Sequence, residues 1–303
     1  MISDLSFADL LLILQKGDGS YVFAEQCRPS TVVSMRIDDV VGQEVDPWMV
    51  EECNKAMKHH GVYKSENMIT DGDMNICNTY APIRHNGKTL GLVLRETNLE
   101  NREANGRYEW ESISVGRQLF SMIAREQFPY TDAVMNQRHN ARVSDGFMLL
   151  TKDGEITYAS PNAISCFRRL GMIDTMPGKN LGEIGTALLH ENDPVPETLP
   201  LVLMGKAAVD SELNANHSIV SIRSMPLMDE QGRTGAIVLC RDITELRRRE
   251  VELQTKDATI SEIHHRVKNN LQAVSALLRL QARKTKSEEV KKSCMRRNVA
   301  CRR

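Results

Sequence analysis

A chain of 303 residues is long enough for two ordinary domains and a further segment. Its 41% apolar and 26% charged residues exclude a disordered polymer. With 39 basic against 40 acidic side chains, no global field points to nucleic acid or an acidic substrate.

In chain order, Asp9–Leu14, the glycine-containing turn 16–19 and Tyr21–Phe23 read as a hairpin. The apolar stretch Leu10–Leu14 is far short of the roughly 20 residues of a membrane span, and no signal peptide is expected. Pro47–His60 has helical spacing, with Trp48, Val50, Cys53 and Met57 for an inner face and Gly61 as the stop. A second hairpin joins 78–83 to 90–94 through Asn86-Gly87, and residues 101–128 read as a long helix with Ile113, Leu119, Phe120 and Ile123 on one side, ended by Pro129. The first module therefore spans 1–128, and the polar, aperiodic stretch 129–143 reads as a linker. A second module, 144–244, opens with Gly146–Leu150, turns at Asp153-Gly154 and continues through 155–159. Ser160-Pro161 then starts a helix, and strands 219–225 and 235–240 close the module.

The second module resembles a PAS domain in Asp153-Gly154-Glu155-Ile156-Thr157-Tyr158-Ala159-Ser160-Pro161-Asn162-Ala163 and in its exit Arg241-Asp242-Ile243-Thr244-Glu245. The first resembles a GAF domain in its order of strands and helices. The resemblance implies an α+β fold of two antiparallel-sheet sensor domains, each with a small-molecule pocket, and a signal relay through Asp242 and Thr244. His190, Cys166, Met148 and Phe147 are pocket candidates in the second module, although apolar and sulfur side chains are more often packing. Trp48, Cys53, Cys77 and His59 get the same reading in the first.

From 245 to 285 one helix runs without proline or glycine, and Leu246, Leu253, Ile260, Val267 and Val274 recur every seven residues, with Gln281 continuing the row. A strict heptad stripe must face a partner helix, so a homodimer is expected. Ile263, Leu271, Leu277 and Leu278 widen the stripe toward a four-helix bundle. This helix carries Glu262-Ile263-His264-His265-Arg266-Val267-Lys268-Asn269-Asn270-Leu271-Gln272. The string resembles the phosphoacceptor box of the histidine-kinase subfamily with a His-Arg-Val-Lys-Asn-Asn-Leu-Gln signature. GAF, PAS and box in this order are similar to a soluble actinobacterial sensor kinase that feeds an RNA-binding antitermination response regulator.

The resemblance implies His265 as phosphoacceptor and a response-regulator aspartate as the next acceptor. Spacing agrees: His265 shares its row with Gln272 and Arg279, whereas His264 shares its row with Leu271 and Leu278. A neutral imidazole is nucleophilic near pH 7. Arg266, Lys268, Asn269 and Asn270 support the motif, by steadying phosphate charge or contacting the partner protein. Adjacent histidines point to different sides of a helix, so no metal site is expected.

The full-length kinase would use ATP and Mg2+, but Gly235 is the last glycine, so no phosphate-cradling loop follows the box. Residues 294–303 lack a long heptad stripe, so 286–303 reads as an atypical or truncated tail, from truncation or a disrupted reading frame, and the chain alone is expected to be inactive as an enzyme of this family. Its basic residues lack aromatic partners, against direct nucleic-acid binding. Seven cysteines, odd in number and without CxxC spacing, fit a reducing cytoplasm. The competing class is a non-catalytic dimeric adaptor that relays a ligand signal.

Overall fold

The computed structural model describes residues 1–71, 74–98, 106–130, 141–189 and 195–284. His190, the middle of the expected linker and the tail after Lys284 lie outside the described residues. The chain divides into two compact units, one ending at Ile243 and one beginning at Thr244.

The first module comprises α1 (Ile2–Ser6), β1 (Asp9–Gln15), β2 (Tyr21–Cys27), α2 (Pro47–Lys58), β3 (Tyr63–Asp71), β4 (Met74–His85), β5 (Lys88–Asn98) and α3 (Arg107–Ala124). Its sheet is antiparallel, in the order β2-β1-β5-β4-β3. The β4–β5 turn is the one expected: Asn86 and Gly87 take φ of 52° and 75°. A two-residue hairpin turn needs that left-handed pair to match strand twist.

The inner face of α2 differs from expectation. Met49, Glu52, Cys53 and Ala56 are buried, Trp48 is 45% exposed, and Val50 and Met57 pack only at the margin. Tyr63 Oη (3.0 Å) and Lys55 Nζ (3.2 Å) donate to the Glu52 carboxylate, which holds a 49-52-53-56 stripe against the sheet. This helix stops at Lys58 with His59 extended, before Gly61 is reached. Similarly, α3 stops at Ala124 rather than at Pro129. Glu126 is left-handed (φ 61°) and the Gln127 N–H bonds back to the Met122 carbonyl at 2.9 Å, which satisfies the last turn.

The second module comprises β6 (Phe147–Thr151), β7 (Ile156–Ala159), α4 (Pro161–Arg169), α5 (Leu181–Leu188), α6 (Leu199–Leu203), β8 (Asp210–Ala215), β9 (Ser218–Asp229) and β10 (Gly232–Asp242). Its antiparallel sheet has the order β7-β6-β10-β9-β8. Ser160 caps α4 as its sequence implies, accepting from the Ala163 N–H at 3.3 Å and the Phe147 N–H at 2.9 Å.

One core lies between the first sheet and α2 and another beneath α4, α5 and α6. A third is shared by both modules, with Leu119, Phe120 and Ile123 of α3 in one cluster with Ala81 of β4 and Phe147, Leu149, Ile237 and Leu239 of the second sheet. Gln118 Nε2 donates to Thr234 Oγ1 at 2.7 Å and an Arg107 guanidinium nitrogen to the Thr157 carbonyl at 2.9 Å, closing the edges of that layer.

By itself, the described part of the second unit is α7 (Thr244–Lys284), a helix of 41 residues. At 1.5 Å per residue it is about 60 Å long. No described helix is long and apolar enough to cross a membrane.

Candidate functional site

The apolar stripe of α7 is laid bare along its length. Leu246, Leu253, Ile260, Val267 and Val274 are each exposed, and so are Ile263, Leu271 and Leu277. Ion pairs flank it, Lys256 with Glu252 at 2.9 Å and Arg266 with Glu262. Glu placed four residues before the base is the favourable orientation on a helix. An unpaired stripe this long on a charged helix is the surface of an assembly seam.

His265 is exposed on this helix, as are Lys268, Asn269 and Asn270. His264 is exposed as well, so in one chain the two histidines differ only in their rows: Leu271 follows His264 by one heptad, and Gln272 follows His265. Of the motif's cations, Arg266 is held by Glu262 of its own helix. At the exit of the second module, Asp242 accepts from Arg169 of α4. The Ile243 N–H bonds to the Ile219 carbonyl at 2.9 Å, pinning the exit of β10 to β9. Thr244 is the first residue of α7.

The pocket candidates separate. Met148 and Cys166 belong to the inner core of the second module and Phe147 to the shared core, which is the packing role. An open cleft of about 910 Å³ in that module is lined instead by Met172, Ile173, Lys179, Asn180 and Glu183. In the first module Cys53 and Cys77 are buried, and burial followed by the Glu52 charge pushes the Cys53 thiol up to about 12. His59 Nδ1 lies 3.1 Å from the Gly61 carbonyl. Among the described residues no group of three His, Cys, Asp or Glu could hold a metal ion.

One constellation escaped sequence reasoning. Asp9, Glu96 and Asn78 are register partners on the adjacent strands β1, β5 and β4, and all three are buried. Arg36 grips Glu96 through two bonds of 2.6 and 2.7 Å, while Ser34 Oγ (2.6 Å) and the Met35 N–H (2.8 Å) bond to Asp9. Both ends of the Asn78 amide and the buried Tyr80 hydroxyl make no hydrogen bond of good geometry. Burial holds the Tyr80 phenol far above its ordinary range, so it remains a neutral donor. The residues were visible in the sequence, but the register that lines them up was not.

Family models match the chain in three places. A GAF domain described for the histidine kinase PdtaS covers residues 1–115, a PAS fold covers 141–248, and a histidine kinase model covers 262–299, including the box. The sensor histidine kinases PdtaS of Mycolicibacterium smegmatis and Mycobacterium tuberculosis are each 36% identical to this chain, over 299 and 300 residues. Those alignments cover 97% and 95% of this chain and 60% and 59% of the relatives. A solved structure, the sensor region of a sensor histidine kinase, superposes with a TM-score of 0.66 at 26% identity, covering 82% of this chain and 88% of that one.

Sensor domains followed by a phosphoacceptor helix define the class, a sensor histidine kinase region. More narrowly, the chain is similar over nearly its whole length to the GAF–PAS sensor histidine kinases of the PdtaS type. It spans about 60% of the length of the curated relatives it matches.

Proposed function

We propose that this chain is the sensory and phosphoacceptor region of a cytoplasmic two-component kinase that works as a homodimer, with His265 as the acceptor. The observation that carries this reading is an exposed His265 inside the unbroken 262–272 box, on a helix whose apolar stripe has no cover of its own. A ring nitrogen of the neutral imidazole attacks the γ-phosphorus, forming a P–N bond while the bond to the ADP oxygen breaks. A carboxylate oxygen of a response-regulator aspartate then takes the phosphoryl group and the imidazole is restored. ATP and Mg2+ belong to a catalytic domain outside this chain, Mg2+ neutralising phosphate charge. The regulator is of the RNA-binding antitermination type. Lys268 and Asn269, within a turn of His265, steady the transferred charge.

The sensed signal is a small molecule held by the GAF-like or the PAS-like module. Its binding would shift Asp242 and Thr244 and re-register the α7 seam. The test supplies the chain with ATP, Mg2+ and a separate catalytic domain of the same family. Acid-labile phosphate should appear on the wild type and fall to background in His265→Gln. Labelling that persists in His265→Gln would overturn the assignment of the acceptor, and none on the wild type would overturn the reading in favour of the adaptor.

A further inference from the structure

The mechanism above uses none of the cysteines, yet two of them meet. Cys166 lies in the last turn of α4, Cys240 lies on β10, and α4 packs on that strand. Both are buried, at 6% and 0% exposure, and their thiols hydrogen-bond to one another. The Asp242 backbone N–H also donates to the Cys166 sulfur. Two donors aimed at one sulfur favour its anion. The hydrogen bond from Cys240, then that from Asp242, carry the Cys166 thiol below its ordinary value against the cost of burial. The same hydrogen bond and complete burial hold the Cys240 thiol well above it. The contrast with Cys53, pushed up to about 12, is plain.

We propose that Cys166 and Cys240 are an oxidisable dithiol, a modification site at which a hydroperoxide forms a disulfide between α4 and β10. The residual exposure of Cys166 makes it the attacking sulfur. Its thiolate attacks one oxygen of the hydroperoxide: an S–O bond forms, the O–O bond breaks and the alcohol or water leaves with a proton. The sulfur, now a sulfenic acid, has lost two electrons to that oxygen. Cys240 gives up its proton and attacks this sulfur; the S–S bond forms, the S–O bond breaks and water leaves. Overall, two thiols and one hydroperoxide give one disulfide, one alcohol or water from the oxidant, and one further water. Cys240 precedes Asp242 by two residues and the start of α7 by four, so the bond would staple the strand that leads into the phosphoacceptor helix.

The test uses the whole chain, treated with hydrogen peroxide, unfolded in alkylating reagent and cut with trypsin. Residues 153–168 and 234–241 then form two peptides with one cysteine each. The expected result is a linked pair, two hydrogens lighter than the sum of the free peptides and lost on treatment with dithiothreitol. In Cys240→Ser the link should vanish and a sulfenic acid should be trapped by dimedone at Cys166. Recovery of both peptides as free, alkylated thiols from peroxide-treated wild type overturns the proposal, whether or not the variant folds. Pairing of Cys166 with a different cysteine does the same.

Discussion

Glu52 shows how one side chain sets the orientation of a helix. Its carboxylate is turned inward on α2, and burial opposes the charge. Hydrogen bonds from Ser65, Lys55 and Tyr63 outweigh that cost and hold its acidity below the ordinary value of 4.5. A group with a lowered folded pKa stabilises fully above its unfolded value, and that contribution fades as the pH falls through the folded value. Glu52→Gln keeps the shape and loses the charge-assisted bonds, at about 1–2 kcal/mol near neutral pH. Urea unfolding should show this gap unchanged between pH 7 and pH 5 and narrowing in stronger acid. A gap that widens in acid would contradict the lowered value. Arg36 and Glu96 make a comparable choice across the sheet, where the guanidinium also lies 5.2 Å from the Phe23 ring centre and so anchors the segment after β2 to the buried face.

Along α7, exposed apolar residues differ only in phase. Ile260 is 52% exposed and lies on the heptad row of α7; Val251 is 61% exposed and lies off it. If the row is the seam, Ile260→Asp sets a charge into it and should weaken self-association at least tenfold in sedimentation equilibrium, about 1.4 kcal/mol. Val251→Asp should leave association unchanged, and equal effects would dissolve the seam. This helix was legible in the sequence because its signal is local: no breaker, one stripe, one unbroken box. The hairpin at Asn86-Gly87 and the Ser160 cap were legible for the same reason. Strands β3 and β8 were not. The inward positions of β8 are Ser211, Leu213 and Ala215, too small and polar to announce a period of two. Nor was the face of α2, because the partners of Glu52 come from elsewhere in the chain. The Asp9–Glu96–Asn78 row depends on pairing among three strands, which no local string encodes.

Across the whole sensory unit, the two modules cannot be read as beads on a string. The stretch 129–143 is polar and aperiodic in sequence, yet Ala141 and Val143 at its end are buried in the shared core. The helix α3 has apolar residues on more than one side, which is expected of a helix packed between two sheets rather than one. Gly116 allows α1 to close against it, since a Cβ there would lie 2.6 Å from Ser6 Oγ. Phe147 opens the second module but packs with rings of both, 5.6 Å from Tyr108 of α3 and 5.4 Å from Tyr158 of β7. Modules that share such a layer should unfold together, since neither face can be left to water cheaply. Both tryptophans, Trp48 and Trp110, belong to the first module, so their fluorescence reports on that module. Phe147→Ala removes a fully buried ring from the second, at about 3–5 kcal/mol. The tryptophan-detected midpoint should therefore fall with it, by the same amount as the calorimetric transition of the whole unit. A tryptophan midpoint that stays in place while calorimetry splits into two transitions would show the modules to be independent, and the signal from one to the other would then have to travel through the chain connection alone.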